Sequence, residues 1–431
     1  MSVWHPMSGY DPQARRTVMV SGEGCWVTDD TGRRYLDAKS GLWCVNAGYG
    51  RDELADAARD QLRTLPYYPL TDSHLPAQRL AARLGEWLGE DYVFFFSNSG
   101  SEANEVAFKI ARQYHQQCGE PYRQKIVSSY RAYHGQTPGA LAATGQNQRK
   151  LGYEPLPAGF LHVAPPDPYR CHLCEGGCTL RCAGEVERVL RFELPETVAA
   201  VIAEPVISGG GVIVPPAGYL AAVAAICARS GALLIVDEAV CGFGRTGRRF
   251  GHQHSGIVPD IVTMAKAVAN GYFPIAVTAV RREIHERFAA TGQGRLRHIN
   301  TFGGHPAACA VALRTMDIMD GEDLPARAAG NALARRLKPL LALPQVGEVR
   351  GLGLLAGVEL VEDRVSRRPV AADVTRRVVA ACRERGVVVG MNANTAAGLS
   401  NVVMAGPPLV AGEEELDLLT TTLEEAIREV L

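Results

Sequence analysis

The strongest constraint on the fold is an alternation. Short apolar runs at 92–96, 125–129, 199–203, 232–236 and 261–264 are separated by stretches with helical periodicity. Strands that alternate with helices build βαβ units, so the pattern predicts an α/β fold around a large, mostly parallel sheet. The flanks read differently. Residues 24–35 form a hairpin-like stretch turning at Asp30-Thr31-Gly32, and strand-like runs at 353–360 and 387–390 recur among helices near the C-terminus. The expected organisation is a large domain over 66–325 and a small α+β domain made from both chain ends, 1–65 and 326–431. The length of 431 residues suits two or three domains.

Charge removes several classes of function. With 45 Lys+Arg against 46 Asp+Glu, the net charge of −1 gives no field to hold a polyanion, so nucleic-acid binding is not expected. No apolar run approaches the roughly 18 residues of a membrane span, and the first ten residues carry neither a basic nor an apolar signal region. The expected location is the cytoplasm. There the eleven cysteines would be thiols or metal ligands rather than disulfides.

The segment from Phe94 to Glu105 passes from a buried strand through Ser97-Asn98-Ser99-Gly100-Ser101 into a helix, whose apolar face is Ala103, Val106, Ala107, Ile110, Ala111 and Tyr114. A helix N-terminus with free N–H groups, hydroxyls and a positive dipole end suits a phosphate. An ordinary helix cap fits the same residues. The segment is neither a dinucleotide fingerprint nor an NTP-binding loop.

Three other strands end in a polar side chain: 199–203 leads to Glu204, 232–236 to Asp237, and 260–265 to Lys266. Ligands of open α/β sheets sit beyond the carboxyl ends of the strands, where these groups should converge. Pyridoxal phosphate requires a lysine for a Schiff base, an acid to keep its ring nitrogen protonated, and an anchor for its phosphate. Taken singly, Lys266 reads as a surface lysine and Asp237 or Glu204 as a cap or ion-pair partner.

The chain resembles the class III pyridoxal-phosphate aminotransferases of fold type I. The likeness is carried by Gly41-Leu42-Trp43-Cys44-Val45-Asn46, the Ser97 to Asn104 segment, Tyr133-His134-Gly135, Ala203-Glu204-Pro205, Val236-Asp237-Glu238, Gly242-Phe243-Gly244-Arg245-Thr246-Gly247, the run ending at Lys266, Asn300-Thr301-Phe302-Gly303-Gly304-His305-Pro306 and Arg350-Gly351-Leu352-Gly353-Leu354. Within the family the sequence is most similar to the ω-aminotransferases, nearest to the taurine–pyruvate group. The resemblance implies ping-pong transfer of an amino group from an ω-amino acid or primary amine to a keto acid such as pyruvate, or the reverse onto an aldehyde. It also implies that Lys266 forms the Schiff base and shuttles the proton, Asp237 pairs with the ring nitrogen, and Tyr133 stacks on the ring. Ser99, Gly100 and Ser101 would hold the phosphate, Glu204 and Ala239 would lie near the cofactor, and Trp43 and Met391 would line the substrate pocket with Tyr133. Thr301 would reach the phosphate of a neighbouring subunit, making the protein a homodimer with shared sites. An aminomutase or decarboxylase on the same fold is the alternative.

The sequence departs from the family in three places. Ala239 and Val240 stand where many relatives carry a valine against the ring and a glutamine or similar group beside it. Met391 occupies a position where the nearest relatives carry an arginine that pairs with an acidic substrate, and a thioether cannot form that bidentate pair. Either another arginine takes the role, or at least one substrate is a neutral amine or aldehyde. Last, Cys171, Cys174, Cys178 and Cys182 crowd into one insert, with spacing that would close a structural zinc site if the thiolates converge; reduced thiols in a surface loop are the plainer reading, and a zinc knuckle in a regulatory protein the least favoured.

Overall fold

A computed structural model describes residues 3–11, 16–174, 177–288, 294–393 and 395–431. Its centre is a seven-stranded sheet in the order Tyr92–Ser97, Ala276–Arg281, Ile261–Met264, Leu233–Asp237, Val198–Ala203, Lys125–Ser129, Phe160–Val163. All pairings are parallel except those of Ala276–Arg281, which runs against both of its neighbours. Strands 125–129 and 261–264 match the sequence-based expectation to the residue; those expected at 92–96 and 199–203 are one residue longer, and that expected at 232–236 is shifted by one residue.

The central strands are buried along their whole length, as parallel strands covered on both faces must be. Alternate side chains feed two cores. Ala200, Ile202, Leu233 and Ile235 pack with Val106, Ala107, Ile110 and Ala111 of the helix Gly100–Gln117. Val201, Leu234 and Val236 face the other way, onto Val186 and Leu190 of the helix Arg181–Phe192 and Val223 and Ile226 of the helix Tyr219–Ser230. Each fully buried Leu, Ile or Val contributes about 1.5–3 kcal/mol, so a polar substitution on either face is costly.

The chain ends meet in a second sheet. The antiparallel strands Met19–Glu23, Trp26–Asp29 and Arg34–Asp37 are joined by Val387–Val388, which pairs in parallel with Arg34–Asp37. A third sheet contains Val346–Gly351, Ala356–Asp363, Val402–Ala405 and the two-residue strand Gly390–Met391. The strand expected at 353–360 therefore starts three residues later, after the turn at Gly351 to Leu355.

Candidate active site

The register of the central sheet gathers the polar groups. Ala203 pairs with Val236 and Asp237 with Thr263, so Glu204, Asp237 and Lys266 leave neighbouring strands at one edge. Tyr92–Ser97 ends at the same edge and delivers the N-terminus of Gly100–Gln117 there. A cavity of about 390 Å³ opens at this point. Its walls include Gly100, Ser101, Tyr133, Glu204, Asp237, Ala239, Lys266, Trp43 and Met391, all expected from the sequence. Lys266 follows Met264–Ala265 in a left-handed conformation, φ +51°, which turns the chain out of the strand. A larger cavity of about 550 Å³ lies elsewhere, between Tyr130, Arg170 and Leu399, and contains none of these groups.

Asp237 is almost fully buried. Burial alone would raise its pKa. Hydrogen bonding from His134 Nδ1 (2.9 Å), Asn104 Nδ2 (2.9 Å) and the Ala239 N–H (3.0 Å) outweighs this and holds the carboxyl below the usual range. Asn104 is fixed in turn, donating to the His134 carbonyl and accepting from Thr263 Oγ1. Among the described residues Asp237 has no lysine or arginine partner, and His134 Nε2 is buried without a hydrogen bond.

Glu204 behaves oppositely. Burial pushes its pKa up to about 7, with the Asp237 charge adding to the effect, although Oε1 accepts from the Tyr133 N–H and Oε2 from the Ser208 N–H. Two neighbouring carboxyl groups thus hold their protons differently.

The helix entrance separates two serines that the sequence groups together. Ser99 Oγ accepts from the Glu102 N–H at 3.3 Å, while Glu102 reaches back to the N–H groups of Ser99 and Asn98, a complete capping box. Ser99 is therefore spent on the cap and does not line the cavity. Ser101 does line it, and its Oγ accepts from the Gln136 N–H at 3.0 Å. Gly135 makes that contact feasible: its φ is +139° and a Cβ there would collide with Ser101 Oγ.

Two further sets of residues singled out from the sequence lie outside this cavity. Thr301 is exposed, its carbonyl accepting from Tyr67 Oη at 2.8 Å, between exposed Ile299 and Phe302. The cysteines do not assemble into a metal centre: among the described residues no group of three or more His, Cys, Asp or Glu is placed to hold an ion. Cys174 Sγ is engaged by Thr179, through its Oγ1 at 3.3 Å and its N–H at 3.5 Å, and that contact lowers its pKa to about 6. Cys182 is buried in the core behind the sheet, and burial raises its thiol to about 11. Glu175 and Gly176 of the insert lie outside the described residues.

Sequence reasoning gave no site role to four polar wall residues, Asn104, His134, Lys39 and Arg149, nor to apolar ones such as Leu42 and Met404. Asn104 had a signal, a polar residue beside the apolar helical face. Arg149 ends a three-residue 3-10 turn, Asn147–Arg149, which has no periodicity to read.

A buried carboxylate, a lysine and a helix N-terminus thus meet around one cavity. The class-III aminotransferase family model matches residues 10–427, and the chain belongs to that family of aminotransferases. It is 54% identical to the uncharacterized aminotransferase YhxA of Bacillus subtilis, over 99% of this chain and 95% of that one. It is 41% identical to the taurine–pyruvate aminotransferase of Rhodobacter capsulatus, again over 99% and 95% of the two chains. A solved amine transaminase from an uncultivated Pseudomonas species, in its PLP-bound internal aldimine form, superposes with a TM-score of 0.95 at 36% identity, covering 100% of this chain and 99% of that one.

Proposed function

We propose that the protein transfers an amino group from an ω-amino acid or primary amine to a keto acid such as pyruvate, using pyridoxal 5′-phosphate. The observation that carries this reading is the buried Asp237 carboxylate, kept ionised without a lysine or arginine partner, in the same cavity as Lys266. A protonated ring nitrogen would add a countercharge to the contact Asp237 makes with His134. Ser101, Gly100 and the helix N-terminus offer donors for a phosphate. When bound, the cofactor supplies the electron sink and holds the nitrogen between the two half-reactions.

The chain's own groups would do the rest. Asp237, oriented by Asn104 and His134, holds the proton on the ring nitrogen. Lys266 binds the cofactor covalently and, once released, moves the proton at the substrate carbon that carries nitrogen. Tyr133 and Ala239 would flank the cofactor ring, the alanine with the smaller contact. Trp43, Leu42, Met391 and Met404 exclude water from the substrate end. Glu204 sits close to the cofactor position as a carboxyl able to change protonation near neutrality.

The same reading includes a second copy of the chain. Thr301 lies outside its own cavity, between exposed Ile299 and Phe302, as a residue serving a neighbouring site would. It also includes a large domain at 66–325 with a small domain from 1–65 and 326–431, and a cytoplasmic location; no helix among the described residues is long and apolar enough to cross a membrane. Mixing the PLP-loaded protein with taurine, β-alanine or a simple amine tests the activity. The expected result is loss of the yellow absorbance and its return on adding pyruvate, with alanine formed in equal amount; consumption of the donor without alanine would point instead to an aminomutase or decarboxylase.

A further inference from the structure

We propose that Arg149 is the anion clamp of the substrate pocket, binding the carboxylate or sulfonate of an acidic donor and the carboxylate of the keto acid. The inference deepens the aminotransferase reading above and rests on it.

The cavity wall carries three side-chain cations: Lys39, Arg149 and Lys266. Lys266 is the reactive amine. Lys39 is partly compensated by the charge of Asp37, which raises its pKa against the lowering effect of burial. Arg149 has no carboxylate partner among the described residues. Its Nε donates to Gln146 Oε1 at 2.6 Å, and its guanidinium carbon lies 5.1 Å from the centre of the Tyr133 ring. These two contacts fix the plane of the group and leave its outer edge free. Nη1 meets only the Met7 sulfur, a weak acceptor, at 3.8 Å, and Nη2 makes no hydrogen bond among the described residues.

A half-buried guanidinium whose Nη2 is free and whose Nη1 meets only a weak sulfur acceptor can offer two-point donation to a carboxylate or sulfonate. Burial already lowers its pKa, a measure of the solvation it has lost and an anion would restore. Stacking on Tyr133 sets the clamp beside the residue expected to cover the cofactor ring, so one anchored anion leaves the far end of a short substrate to reach Lys266. Met391, in the wall of the same cavity, is apolar. The missing arginine at 391 therefore does not make the pocket neutral.

The test uses the PLP-loaded protein with Arg149→Met and Arg149→Lys. Titration calorimetry with ethanesulfonate, which has no amine to react, reads the clamp independently of turnover. Arg149→Met should weaken this binding by about thirtyfold, and Arg149→Lys by less, as expected for loss of hydrogen bonds to a charged group. The KM for taurine and for β-alanine should rise by a similar factor with a much smaller change in kcat, while the KM for n-butylamine moves by no more than about threefold. Equal losses with taurine and n-butylamine, or unchanged ethanesulfonate binding in Arg149→Met, would overturn the proposal. Wild-type protein that binds ethanesulfonate through Arg149 yet converts no donor would leave the clamp standing and overturn the aminotransferase reading instead.

Discussion

Asn104 Nδ2 donates to Asp237 Oδ2 at 2.9 Å across 133 positions of sequence, and the same amide nitrogen holds the His134 carbonyl. The contact stabilises the ionised acid inside a fully buried site. Asn104→Ala removes it and leaves the carboxylate under-solvated, at a cost of about 1–3 kcal/mol. The expected outcome is a roughly tenfold or greater fall in kcat/KM, weaker PLP retention on dialysis, and a shift of the acid limb of the pH–rate profile to higher pH. An unchanged acid limb would separate Asn104 from the state of Asp237.

Lys266→Ala should abolish the yellow absorbance of the covalent cofactor and lower the amino-transfer rate by about 10⁴-fold or more. The fold should survive, since Lys266 is only half-buried and makes no ion pair among the described residues. Circular dichroism and the absorbance spectrum of the reconstituted variant check both parts.

Legibility followed the physics of each region. Strands buried on both faces are written as continuous apolar runs, so 125–129 and 261–264 were placed to the residue. Their ends gave Glu204, Asp237 and Lys266, because parallel topology makes strand ends converge. Ser99 and Ser101 are grouped by the sequence because a capping serine and a cavity-facing serine look alike there; only the side-chain direction separates them. His134 meets its partner 103 positions away in sequence and Arg149 ends an aperiodic turn, so neither shows a pattern, whereas Asn104 was visible only as a polar residue beside an apolar helical face. The cysteine spacing was visible, but spacing alone says nothing about where each Sγ points.

The two serines give opposite predictions. Ser99→Ala should lower stability by about 1 kcal/mol through loss of the cap. Ser101→Ala should lower PLP affinity, with a smaller effect on stability. Urea midpoints and PLP titrations of the two variants measure the split; a larger loss of PLP affinity in Ser99→Ala than in Ser101→Ala would reverse the assignment.

Glu204 predicts a pH dependence. Its folded pKa is raised from 4.5 to about 7, so between these values the native state holds a proton that the unfolded chain has released. Its contribution to stability therefore falls as pH rises through this window and levels off above it, by a total on the order of 3 kcal/mol. The stability of wild-type protein relative to Glu204→Gln should decline from pH 5 to pH 8. A pH-independent difference in denaturation midpoints would mean that Glu204 ionises at its ordinary value.

Arg149 and Met391 face one cavity, so their roles can be exchanged. If Arg149 supplies the anion contact, Met391→Arg in the wild-type background adds a second cation to a site already served and should change taurine kinetics by only about threefold. In the Arg149→Met background the same substitution restores a bidentate donor to an apolar wall and should recover roughly tenfold in kcat/KM for taurine. That non-additivity is the signature of two residues competing for one substrate group. A large gain in the wild-type background, equal to that in the Arg149→Met protein, would mean that position 391 addresses an anion Arg149 does not reach.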